Sequence, residues 1–378
     1  MNRRRFVAAL GTTASVGVAG CLGTSGGASA PTDGFETTDA DGDVNPVAFG
    51  NVSLPVSEDE LNRGARQDGI PAIVDPEFGS DWSDVDATLD DVEPVVGVEL
   101  GGEARAYPLA VLNWHEIVND AFDRPILVTY CPLCGSAVVA ERVVAGDTRT
   151  FGVSGYLWHS DLVMYDRESD SLWSQVLATA IRGPLTGTEL DLLPATTTSW
   201  GEWRASHPDT SVLLPPPLSD TVTGRVTRDY DRDPYRGYDA SSRIGIGYND
   251  DVDDRLHPKT RVLGVAHGGE AVAYPLSAVS ETPLVTDDVG GLPVVVAATT
   301  GGTLVAYDRR VDGSALSFDR ESGTDVLAAG GSRWNLLTGR ATDGPHAGTT
   351  LTRANDRSPM FWFAWAEFFP DTAIYGRA

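Results

Sequence analysis

The sequence predicts a β-dominated α+β protein built from two tandem copies of one unit, packed with pseudo-twofold symmetry. Three observations predict it. The 378 residues are 41% hydrophobic, enough for more than one ordinary domain with a real core. Runs rich in β-branched and aromatic residues recur between Gly, Pro and Asp, as in strands. Most telling, Gly97–Leu109 (GVELGGEARAYPL) returns as Gly264–Leu276 (GVAHGGEAVAYPL). The match persists in order. Pro125 pairs with Pro293, Gly146 with Gly313, Phe151 with Phe318 and Trp173 with Trp334. Farther on, Gly183 pairs with Gly344, Trp200 with Trp362, Trp203 with Trp365 and Thr210 with Thr372.

The chain divides accordingly. In 1–21, Arg3, Arg4 and Arg5 precede a run of small and apolar residues, Val7–Gly20, too short to span a bilayer as a helix, and then Cys21. This pattern is that of a twin-arginine export signal ending in a lipobox, with Cys21 as the lipidated first residue of the mature chain. Residues 22–45 are rich in Gly, Ser, Thr and Asp and read as a flexible tether. The first copy spans 46–214. A Gly-Gly hairpin leads into a helix from Ala110 to Ala121, then strands over 126–130, 137–144 and 162–165, and a final helix, Ser199–Ser206, carrying paired tryptophans. Residues 215–258 form a connector, stiffened by Pro215, Pro216 and Pro217 and kept on the surface by its Asp, Arg and Tyr content. The second copy, 259–378, is degenerate. These features place the body outside the cytoplasm, on a membrane held through Cys21.

Charge narrows the partners. There are 54 acidic and 28 basic residues, a net charge of −26, and Lys259 is the sole lysine. Such a surface repels phosphate backbones and excludes nucleic-acid binding. It reads as adaptation to brine, where salt screens the self-repulsion.

The duplication serves as an internal control, because residues shared by both copies build the scaffold. The first copy alone has Trp114, His115 and Glu116, where the second has Glu281, Thr282 and Pro283; it alone has Cys131 and Cys134, and the run Ser160–Arg167. Two cysteines spaced C-P-L-C before Gly135 form half of a tetrahedral metal site, a tight turn aiming both sulfurs at one point. His115 is the leading further ligand and His159 the next. Met164 joins if the metal is soft, and Glu116 can supply an oxygen. Cys/His/Met ligation suits copper; Cys/Cys/His with a carboxylate or water suits zinc. A structural disulfide and a redox dithiol are the competing readings of the same pair. Haem attachment is excluded by Gly135, where a histidine would be required, and a zinc-protease helix by Asn119. Asp161, Asp166 and Arg167 read as an ion-pair network in a turn.

The segments Asp68–Ala72 (DGIPA), Arg105–Leu109 (RAYPL), Trp114–Asp120 (WHEIVND), Tyr130–Gly135 (YCPLCG), Ser160–Arg167 (SDLVMYDR) and Ser171–Gln175 (SLWSQ) together resemble the domain-of-unknown-function family 3179, over about Asn45 to Tyr375. The resemblance implies an exported protein of salt-loving archaea or bacteria and carries no catalytic role with it. The expectation is a membrane-tethered extracytoplasmic protein binding copper or zinc for metal handling or redox work; the alternative is a non-catalytic surface module in which Cys131 and Cys134 form a disulfide.

Overall fold

A computed structural model describes residues 52–246 and 252–377. The export signal, Cys21 and the tether lie outside the described residues. In the first copy the Gly-Gly hairpin joins β1 (Pro94–Leu100) to β2 (Glu103–Pro108), followed by α1 (Leu109–His115). An antiparallel meander comes next: β3 (Ile117–Ala121), β4 (Pro125–Cys131) and β5 (Ser136–Glu141). A second hairpin pairs β6 (Phe151–Trp158) with β7 (Asp161–Asp166), and α2 (Trp200–Ser206) closes the copy. The same order returns as β8 (Arg261–His267), β9 (Glu270–Pro275), α3 (Leu276–Ser280), β10 (Val285–Val289), β11 (Leu292–Ala298), β12 (Leu304–Asp308) and α4 (Trp362–Phe368).

Among the described residues, no helix is long and apolar enough to cross a membrane. The helix expected over 110–121 stops at His115. Glu116 takes φ 58°, which ends the turn, and the β-branched Ile117 and Val118 continue as strand.

The β-dominated α+β composition is as expected; the packing is not. Among the described residues the strands form six sheets of three to six strands, besides two two-stranded ribbons. The six sheets are blades of a propeller about a single axis, not two copies facing each other across a pseudo-twofold. The reason lies in the core. One apolar cluster takes Cys131, Cys134, Trp158 and Trp173 from the first copy together with Met360–Phe369 from the second. Phe361 N–H donates to Cys134 O at 2.8 Å, and Ser358 N–H to Ala137 O at 3.2 Å. The copies interlock through this shared cluster, although each also has clusters of its own, with Val95, Leu112 and Val128 in the first and Leu263, Val279 and Val294 in the second.

The repeated residues have repeated jobs. Trp203 and Trp365 are buried, and their indole N–H groups donate to Thr210 Oγ1 at 2.9 Å and Thr372 Oγ1 at 3.0 Å. Each indole lies flat on a strand glycine, Gly97 or Gly264, where a Cβ would overlap the ring. Tyr107 and Tyr274 donate to Asp120 Oδ2 at 2.6 Å and Asp287 Oδ2 at 2.9 Å.

Gly264→Ala therefore forces Trp365 out of its place, and overpacking of this kind costs about 1–3 kcal/mol. Denaturant unfolding in high salt should show that loss. Wild-type stability in the variant would mean that the indole has room to move.

Candidate metal centre

β4 delivers Cys131 at its end, and the turn Pro132–Gly135 returns the chain into β5. Gly135 closes the turn at φ 62°, with the Phe361 ring 2.9 Å from where a Cβ would stand, so only glycine fits. Both cysteines are buried and are free thiols. Cys134 N–H donates to Cys131 Sγ at 3.4 Å, the kind of contact that preorganises a thiolate.

The opposite wall is the β6–β7 turn. His159 and Ser160 stand at φ 50° and 69°, two consecutive non-glycine residues in a costly conformation. That conformation aims the Ser160 carbonyl at the thiols, which donate to it at 3.7 Å from Cys131 Sγ and 3.4 Å from Cys134 Sγ. The next residue, Asp161, is also buried. Its carboxylate accepts from Ser174 Oγ at 2.6 Å and from Val176 N–H at 3.2 Å. One ligand atom from each of Cys131, Cys134 and Asp161 lies within 4.8 Å of the other two.

Burial decides the charge of these groups. It pushes the Asp161 carboxyl up to about 7, against the hydrogen bonds from Ser174, Val176, Gln175 and Leu162 that favour the anion. It pushes the Cys134 thiol well up, and the neighbouring Cys131 raises it further. Glu116, at the end of α1, is raised to about 8 by burial, with a hydrogen bond from Tyr235 opposing. Without a cation, burial favours the protonated forms of Asp161 and Cys134. A divalent ion would replace those protons and satisfy both thiolates and the carboxylate at once.

His115, expected as the leading further ligand, is elsewhere. It is fully buried with both ring nitrogens engaged. Nδ1 lies 2.7 Å from Pro71 O, a pure acceptor, so Nδ1 carries the proton and Nε2, 2.9 Å from Tyr230 Oη, accepts. Burial holds its pKa down to about 4, so the ring is neutral and structural. His159 points its Nδ1 at Glu367 Oε1, 3.0 Å away, and its ring against Trp158. Met164 is a core residue of β7 paired with Trp173. Asp166 does hold a turn, but through hydrogen bonds: Oδ1 accepts from Ser169 N–H, and Oδ2 from Ser169 Oγ and Trp173 Nε1. Arg167 is exposed. The ion-pair network expected of Asp161, Asp166 and Arg167 is therefore a set of separate hydrogen bonds, and the site's third donor is Asp161.

The connector is not purely a surface element. Its Asp231, Arg232 and Asp233 are exposed, but Tyr230 bonds His115 and Tyr235 bonds Glu116. Gly245 packs on Leu133 and Ser160, and Ser160 Oγ donates to Ile246 O at 3.0 Å. The connector thereby roofs the cysteine turn.

The chain belongs to the family described as protein of unknown function (DUF3179), which matches residues 67–372 and so takes in both cysteines, Asp161 and the connector. No curated protein and no solved structure matches the chain.

The buried carboxyls set a pH dependence in metal-free protein. Glu116 is protonated in the folded state up to about 8 and ionised in the unfolded state above the usual carboxylate range. The native state thus binds more protons across that window, and its stability falls as pH rises through it. Glu116→Gln keeps the shape without the titration. Its unfolding free energy, measured across the window, should fall less steeply than that of wild type; parallel curves would contradict the buried, neutral Glu116.

Proposed function

We propose that this member of the family is a metal-binding protein held on the outer face of the cell membrane, with one divalent ion bound by Cys131, Cys134 and Asp161 for metal handling or redox work. The carrying observation is the convergence of two sulfurs and one carboxylate oxygen within 4.8 Å in a buried place. Two soft donors and one hard donor suit borderline zinc better than copper(I), which favours sulfur and imidazole throughout. Zinc takes four ligands, and the Ser160 carbonyl, already facing both thiols, or a water fills the fourth position. A zinc ion held by thiolates in the core also contributes directly to the fold's stability. The arginines before Cys21 support export, and Cys21 itself supports lipid attachment.

Elemental analysis of protein purified in high salt tests the reading. Wild type should carry stoichiometric zinc. Cys131→Ser, Cys134→Ser and Asp161→Asn should lose it, whereas His115→Ala, if folded, should keep it. Because the thiols must deprotonate, zinc affinity should rise by up to about tenfold per pH unit for each proton displaced. A metal-free wild type whose thiols have closed into a disulfide would overturn the proposal. Attachment is tested separately: wild type should partition with the membrane fraction, and Cys21→Ser should release it to the medium. A variant that stays on the membrane would remove the anchor from the account.

A further inference from the structure

In a chain with 54 acidic residues, the sole lysine is buried. Lys259 is 6% exposed, and its Nζ stands 3.3 Å from the centroid of the Tyr238 ring and 5.6 Å from each of Phe361 and Phe363. Nζ donates to Arg243 O at 2.6 Å. Aromatic faces carry negative charge density and hold a desolvated ammonium. One wall of this box is also a wall of the metal centre: the Phe361 ring packs on Gly135, and Phe361 N–H bonds Cys134 O. Tyr238, the nearest face, belongs to the connector that roofs the cysteine turn.

We propose that Lys259 is the counter-ion of the metal centre, offsetting the net negative charge that two thiolates and one carboxylate leave on a divalent ion. The inference rests on the metal-binding reading above. Two thiolates and Asp161 bring three negative charges and zinc two positive, so the loaded centre carries −1. An unpaired buried charge is costly, and a fixed cation behind a shared wall removes that cost without entering the coordination shell. Arg261, also beside the turn, donates to Gly135 O at 3.3 Å but is only half-buried, so solvent screens it, and the buried Arg357 is already paired with Asp356 at 2.9 Å. Lys259 is thus a charge-compensating residue and not a ligand. The compact ammonium of Lys259 is held by three rings at once.

Chelator-competition titrations with zinc and with copper(I) on the full chain test this. Lys259→Met should bind zinc roughly ten- to a hundredfold more weakly than wild type, as loss of an outer-shell partner does. Copper(I) should lose more than zinc, because a monovalent ion leaves an additional charge uncompensated. Lys259→Gln, polar but neutral, should behave as Lys259→Met does and covers the case in which the methionine variant does not fold. Mere loosening of the fold would weaken both metals alike. Zinc binding by a folded neutral variant as tight as wild type, or equal losses for the two ions, would overturn the counter-ion. If wild type itself binds no zinc, the metal-binding reading fails instead.

Discussion

Three acidic groups share a dry place at the junction of the two sequence copies, and the surrounding structure depends on how their charge is settled. Cys134, Asp161 and Glu116 are all pushed towards their neutral forms by burial. An unpaired anion in such a place is unfavourable, which is why burial pushes these groups towards their neutral forms. Two states are therefore open to the site: every proton retained, or the ligand protons exchanged for a metal cation. The Ser160 carbonyl facing both thiols serves either state, as acceptor for S–H groups or as a neighbour to the ion.

The scaffold explains why this place is dry. The cysteine turn is not on an open rim but is pressed against the second copy through Phe361 and Ser358, and is roofed by the connector. In the second copy the corresponding β11–β12 turn runs through Thr300, Gly301 and Gly302. It docks on the first copy through Thr303 Oγ1, which donates to Glu202 Oε2 at 2.8 Å. Each copy thus inserts a hairpin turn at the start of the other's tryptophan helix. One of these contacts is sealed by sulfur and the other by hydroxyls and a carboxylate.

Much of this was legible in the sequence. The Gly-Gly hairpins, the recurrence of Trp203 as Trp365 and the Cys-x-x-Cys turn follow from the repeat and from local rules of turn geometry. The blade arrangement was not, because a repeat shows that two segments fold alike and leaves open how the copies share a core. Nor was the third ligand. By sequence, Asp161 reads as part of a turn network and His115 as the metal ligand. The same internal control favoured both residues equally; what separates them is tertiary. His115 is claimed by Pro71 and Tyr230, far away in sequence, whereas Asp161 follows directly the residue whose carbonyl meets the thiols. The connector's burial of its tyrosines was equally hidden, since Asp, Arg and Tyr together read as surface until their partners are known.

The account stands on a single coordination centre made of Cys131, Cys134 and Asp161. X-ray absorption at the zinc edge of the loaded protein measures that centre directly. The account predicts a shell of two sulfurs at about 2.3 Å with oxygen at about 2.0 Å and no imidazole scattering. A shell with imidazole, or one without sulfur, would contradict it.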